Sequence, residues 1–169
     1  MVNRVEAPSI FMFERTATQL AALESIAQAW HLGPEQFWDF ESVLSALSRS
    51  GCELFFSADT KEAEQWSGVI LLDVGPFSAD LLYVYVRPEA REKRIGRLLM
   101  EHVFYELAGK KNIEALFLEV RVSNTAAQRL YQSLNMELIG TRKKYYANGE
   151  DALIFKANFE CQESEPTRG

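Results

Sequence analysis

Cysteine and histidine are scarce in this chain of 169 residues, with two of each. Cys52 and Cys161 lie far apart and show no metal-ligand spacing, so no metal is expected and the usage fits a reducing compartment. His102 falls within a helical pattern and reads as structural, and His31 has no evident partner. Positive charge is also in short supply. Eighteen Lys and Arg stand against 24 Asp and Glu, a net charge of -6, which argues against a general nucleic-acid or anionic-membrane binder. No apolar run approaches the ~20 residues that a membrane-spanning helix needs. Arg4, Glu6 and Pro8 interrupt any apolar region that would read as a signal peptide. The expectation is a soluble, cytoplasmic protein with neither nucleic acid nor membrane as its partner. Its oligomeric state is invisible at this level.

What is present is an ordinary globular composition, 47% hydrophobic and 25% charged. The length suits one domain over residues 1–160, followed by a polar tail at 161–169 expected to be disordered. Residues 9–13 read as a strand. A helix capped by Thr16 or Thr18 runs to about Trp30, with Leu20, Leu23, Ile26 and Ala27 at helical spacing. A second helix is expected from Pro34 to Ser48, with Phe37, Phe40, Val43, Leu44 and Leu47 on its apolar side. Strands follow at 52–58, 66–74 and 81–86, then a helix over 96–108 and a strand over 115–122. A helix over 125–134 and strands at 137–146 and 151–159 complete the chain, with Asn148-Gly149 as a hairpin signal between the last two. Strands clustered in the middle and at the end, with helices early and between, predict an α+β fold, an α/β sandwich around a mixed sheet.

Positive charge is concentrated in one place. Residues 87–97 hold Arg87, Arg91, Lys93, Arg94 and Arg97 against only Glu89 and Glu92. This loop opens an amphipathic helix, where unpaired backbone N–H groups and the helix dipole favour an anion. Gly96 permits close backbone approach. A small polyanion such as a pyrophosphate suits the patch better than a polymer; a solvated basic turn is the plainer alternative, and a short glycine motif alone does not exclude it.

Several blocks then resemble the GNAT family of N-acetyltransferases. Arg91-x-x-Arg94-x-Gly96 looks like the family's pyrophosphate loop, with Arg94 where that loop has its first glycine. The run Leu118-Glu119-Val120-Arg121-x-Ser123-Asn124-x-Ala126-Ala127, continuing to Leu130-Tyr131, is similar to the branch of bacterial ribosomal-protein alanine N-acetyltransferases. So is Arg142-x-x-Tyr145-Tyr146 followed by Glu150-Asp151-Ala152. The family's Leu-Gly-Phe is Leu134-Asn135-Met136 here, and asparagine tolerates the left-handed cap nearly as well as glycine. The blocks cover the second half of the chain; the first half matches only in element order.

The resemblance implies a central mixed, mostly antiparallel sheet flanked by helices, with acetyl-CoA as the acyl donor. It implies a donor site built from Tyr85, Val86, Arg91, Glu92, Lys93, Arg94, Ile95, Gly96 and Arg97, with Asn124 and Tyr131 along the pantetheine arm. Glu119, a carboxylate inside an apolar strand, becomes the general base. From its residues alone it would equally well pair with Arg121 or Arg129. Tyr131 becomes the acid that protonates the departing thiolate, although on sequence alone a tyrosine between Leu130 and Leu134 is a core residue. Tyr83 and Tyr85 alternate toward one face of their strand and are candidates to line the acceptor slot. The backbone of Tyr85 to Arg87 would pair with the pantetheine amides, and the Val86 N–H would help polarise the acetyl carbonyl. Tyr145 and Tyr146 would grip the acceptor, with Lys143 and Lys144 as a solvated run beside them.

The resulting expectation is acetyl transfer in a ternary complex to a primary amine, above all a protein N-terminus, with a ribosomal protein as one candidate partner. Acetylation of a small-molecule amine or a lysine side chain, and a non-catalytic acyl-CoA-binding module, are the alternatives.

Overall fold

The computed structural model describes residues 8–14, 16–30, 39–61 and 64–160. His31, Phe37, Cys161 and the expected tail lie outside them. In chain order the elements are β1 (Ser9–Met12), α1 (Ala17–Trp30), α2 (Phe40–Leu47), β2 (Cys52–Ala58), β3 (Gly68–Val74) and β4 (Ser78–Val86). Then come α3 (Ile95–Ala108), β5 (Ala115–Arg121), α4 (Thr125–Ser133), β6 (Glu137–Arg142) and β7 (Ala152–Asn158). The strands form one seven-stranded sheet in the order β1-β2-β3-β4-β5-β7-β6. β4 and β5 run parallel, while β1/β2, β2/β3, β5/β7 and β6/β7 are antiparallel. This is the expected mixed, mostly antiparallel α+β architecture. Among the described residues no helix is long and apolar enough to cross a membrane.

Local chemistry sets the element ends. Thr16 caps α1: its Oγ1 accepts from the Gln19 N–H at 3.3 Å, and the Gln19 side chain reaches back to the Glu14 N–H at 2.7 Å. Asp39, in extended conformation, accepts from the Ser42 N–H at 2.7 Å, so α2 begins at Phe40 rather than at Pro34. β3 begins at Gly68, two residues later than expected, and β4 at Ser78, three residues earlier. The last hairpin differs most from expectation. β6 ends at Arg142, and Asn148-Gly149 does not join the strands directly but closes a turn in which the Gly149 N–H donates to the Tyr146 carbonyl at 2.8 Å.

The chain folds as two compact units, one made of residues up to 73 together with 82–102, the other of 74–81 with 103 onward. The first unit has an aromatic core in which Trp66 stacks on Phe56 at 4.1 Å and meets Phe13 edge-on at 6.1 Å. Leu23, Ile26, Val43, Leu54, Val69 and Tyr83 close around them. Such aromatic pairs contribute about 0.5–1.5 kcal/mol each beyond their buried area. Gly68 lies where a β-carbon would come within 2.8 Å of the Tyr85 carbonyl oxygen and 3.1 Å of Ile95 Cγ2, so this position has no room for a side chain. In the second unit, β5 pairs with β7 from Ala115↔Asn158 to Arg121↔Ala152, and β7 with β6 from Lys156↔Glu137 to Ala152↔Arg142. Ala152 therefore lies between Arg121 and Arg142 across the sheet.

Candidate active site

In the first unit, β4 delivers Tyr83, Tyr85 and Val86. Tyr83 and Tyr85 share a face, as the strand period requires. Tyr83 is buried within the aromatic core, and Tyr85 lies half-buried against it. Burial raises the Tyr85 phenol above its ordinary value; Arg91 and Arg87 pull it down without cancelling the rise, to which Glu89 adds. The phenol therefore stays neutral at working pH.

After Val86 a helical turn at Pro88–Ala90 leads through residues 91–94 into α3. Three arginines of the basic cluster are occupied within the unit. Arg87 donates through Nε to the Trp66 carbonyl at 2.8 Å and through a terminal nitrogen to Ser25 Oγ at 3.3 Å. Arg97 pairs with Glu101 at 2.7 Å, one helical turn on. Arg91 Nε donates to the Val86 carbonyl at 3.3 Å. Lys93 and Arg94 are exposed and enter no ion pair among the described residues. Glu92 and Arg94 both take left-handed backbone, at φ 63° and 64°, which costs a non-glycine residue about 1–2 kcal/mol each. In this conformation the Arg94 carbonyl accepts from the Leu98 N–H at 3.0 Å, which starts α3 at Ile95. The N–H groups of the first turn, Gly96 among them, have no partner within the helix. With the cations of Lys93 and Arg94 they fit a pyrophosphate.

In the second unit, Glu119 and Arg121 lie two residues apart on β5 and so share a face. Glu119 pairs with neither Arg121 nor Arg129. Arg142, at the end of β6, places its NH1 2.9 Å from Glu119 Oε1. Interaction with the Glu119 carboxylate above all, then burial, pushes the Tyr145 phenol above its ordinary value. The Tyr145 ring also lies 5.4 Å from the Arg142 guanidinium. Asn124 caps α4, its Oδ1 accepting from the Ala127 N–H at 3.1 Å. Tyr131 is buried with its ring 5.8 Å from Phe155. Lys143 and Lys144 are not simply solvated: Lys143 Nζ lies 2.7 Å from Asp151 Oδ2, and the Lys144 N–H donates to Asp151 Oδ1 at 2.8 Å.

Two site residues escape a reading of the sequence. Arg121 is almost fully buried, and its NH1 donates to Glu150 Oε2 at 3.1 Å and to Asn148 Oδ1 at 3.3 Å. The Tyr146 ring covers the guanidinium at 3.7 Å. Glu150 Oε1 accepts from the Ser123 N–H at 2.7 Å. Hydrogen bonds from Ser123 above all, then from Arg121 and Asn148, lower the Glu150 carboxyl to about 2, so it is ionised at any working pH. The only sequence sign of this network is the pair of charges Arg121 and Glu150, which nothing local connects. No group of three or more metal-ligating side chains occurs among the described residues.

The acetyltransferase (GNAT) family model matches residues 19–136, well over half of the chain. The chain belongs to the GNAT family. It is an N-acetyltransferase, and its relatives narrow the branch. It is 33% identical over 142 residues to the ribosomal protein bS18-alanine N-acetyltransferase of Salmonella typhimurium, covering 82% of this chain and 90% of that protein. The crystal structure of the ribosomal-protein-S18-alanine N-acetyltransferase of Escherichia coli superposes with a TM-score of 0.76 at 28% identity, covering 94% of this chain and 97% of that one. An Arabidopsis thaliana NAA60 structure in complex with acetyl-CoA shares the GNAT fold, with a TM-score of 0.75 at 14% identity over 89% of this chain and 97% of that one. Arg94, where the sequence resemblance expects the first glycine of the family's pyrophosphate loop, takes a left-handed backbone at φ 64°.

Proposed function

We propose that this GNAT enzyme transfers acetyl from acetyl-CoA to the α-amino group of a protein N-terminus, with Glu119 as general base and Tyr131 as general acid. The observation that carries the reading is the environment of Glu119. Its carboxylate lies 2.9 Å from Arg142, whose guanidinium lies 5.4 Å from the Tyr145 ring, and Tyr145 belongs to the same connection as Tyr146. The proton acceptor and the two aromatic side chains offered to an acceptor peptide are therefore one assembly.

An α-ammonium has an ordinary pKa near 8, so removing its proton needs only a modest base. Glu119 takes that proton and frees the nitrogen lone pair to attack the acetyl carbonyl carbon. As the carbon–sulfur bond breaks, Tyr131 gives a proton to the sulfur; the nitrogen's second proton passes through water to restore the phenol, which leaves a neutral amide, and Glu119 releases its proton to solvent. The first-turn N–H groups of α3 with Lys93 and Arg94 hold the donor's pyrophosphate, and the Val86 N–H polarises the carbonyl under attack. A ribosomal protein is the candidate acceptor, since the Salmonella and Escherichia relatives are named for one.

Incubation of Ala- and Met-initiated peptides with acetyl-CoA and the enzyme, followed by mass spectrometry, tests the reading. A gain of one acetyl group on peptides with a free N-terminus is expected. Tight acetyl-CoA binding with no transfer to any amine would instead identify a non-catalytic acyl-CoA-binding module.

A further inference from the structure

A run of contacts in the second unit leads from a carboxylate outside the reacting groups to Glu119. Glu150 holds Arg121 at 3.1 Å and is itself tied to the Ser123 N–H at 2.7 Å. Asn148 takes the same Arg121 nitrogen at 3.3 Å and also accepts from the Glu150 N–H at 3.1 Å. With its edge fixed, the Arg121 guanidinium presents a face, and the Tyr146 ring lies on it at 3.7 Å. Tyr145 meets Tyr146 edge-on, with ring centroids 5.2 Å apart and planes at 83°. The Tyr145 ring lies 5.4 Å from the Arg142 guanidinium, whose NH1 is 2.9 Å from Glu119 Oε1.

We propose that Glu150 is a positioning residue for the acetyl transfer. It acts on the Glu119 carboxylate through Arg121, Tyr146 and Tyr145, so that the connection at 143–151 is locked to the end of β5 whenever the base is in place. The proposal rests on the role given to Glu119 above.

The physical case has three parts. Each tie is of a kind that fixes orientation: a charge-assisted hydrogen bond, a cation against a ring face, an edge-to-face ring pair and an ion pair on the carboxylate. The anchor has few alternatives, because Arg121 is almost fully buried and a buried guanidinium holds its partners strongly. The other end is less constrained, since Arg142 and Tyr145 are both exposed. Without Glu150, Arg121 loses a charged partner and the face under Tyr146 is released. Tyr145 then keeps its place against Arg142 and Glu119 only by chance of loop geometry.

The test is a cycle of kinetics on the full chain with a free-N-terminus peptide. Glu150→Gln keeps the size and an acceptor for the Ser123 N–H, but removes the charge facing Arg121. A misplacement of about 1 Å costs up to ~100-fold in rate, so kcat is expected to fall roughly 10- to 100-fold with acetyl-CoA affinity unchanged. In a Glu119→Gln background the same substitution is expected to lower kcat no further, because the base it positions is gone. Equal fractional losses in both backgrounds, or unchanged kcat in E150Q, would overturn the proposal; a mere loss of folded enzyme also gives equal losses.

Hydrogen exchange provides a readout independent of turnover. Amides of 143–149 are expected to exchange faster in E150Q while those of β5 and β7 keep their protection, and unchanged exchange at 143–149 counts against the lock. If the wild-type enzyme acetylates no peptide, the proposed function fails, while the exchange arm still decides on the lock. Should E150Q not fold, Asn148→Ala removes one acceptor from Arg121. A smaller loss of kcat with faster exchange at 143–149 is then expected, and no change in either overturns the proposal.

Discussion

The Glu119 carboxylate is paired with Arg142 at 2.9 Å, so an ammonium that gives it a proton must displace or join that arginine. The Arg142 side chain is more than half exposed and has room to swing away. Glutamine at 119 keeps the shape but takes no proton. Glu119→Gln should therefore lower the transfer rate about 100-fold or more and leave acetyl-CoA binding, followed by calorimetry, as in the wild type. An unchanged rate would remove Glu119 from the mechanism. A lone carboxylate in the apolar run Leu116 to Val120 is conspicuous in sequence, and that made the position legible. Its partner was not. Sequence proximity points to Arg121, which does lie on the same face of β5, but Arg121 is taken by Glu150. The arginine that reaches Glu119 comes from the end of β6, placed by a strand register that no local pattern encodes.

Among elements, the turn into α3 and the end of α4 behaved as their residues suggest. Asn135 takes φ 59° after α4, the cap conformation that asparagine tolerates. Arg94 takes φ 64° where the resemblance expects glycine, and its carbonyl accepts the Leu98 N–H that starts α3. Harder to foresee was Gly68, whose importance lies in the carbonyl of Tyr85 and the side chains of Ile95 and Leu99, all distant in sequence. Gly68→Ala should destabilise the fold by about 1–3 kcal/mol through overpacking against backbone that cannot yield. It should also weaken acetyl-CoA binding, because the displaced segment is Tyr85 to Ile95. Denaturant unfolding alongside a binding titration checks this, and wild-type stability would contradict it. The last hairpin shows the limit of turn motifs. Asn148-Gly149 does turn the chain, with Gly149 at φ 82°, but the Asn148 side chain is engaged with Arg121 and Glu150 within a longer connection.

For the molecule as a whole, the order of elements and the mixed sheet followed from alternating apolar runs and their punctuation. The function followed from the blocks between Arg91 and Tyr146. The family match over residues 19–136 and the 33% identity to the Salmonella enzyme place the chain among N-acetyltransferases. What neither pattern nor charge balance encodes is the acceptor, because its recognition depends on a segment of another molecule. The direct measurement uses a peptide with a free N-terminal alanine and one internal lysine, and tandem mass spectrometry to locate the acetyl group after reaction with acetyl-CoA. The account predicts acetyl on the α-nitrogen and none when that nitrogen is blocked in advance. Acetyl on the lysine, or undiminished acetylation of the blocked peptide, would contradict it.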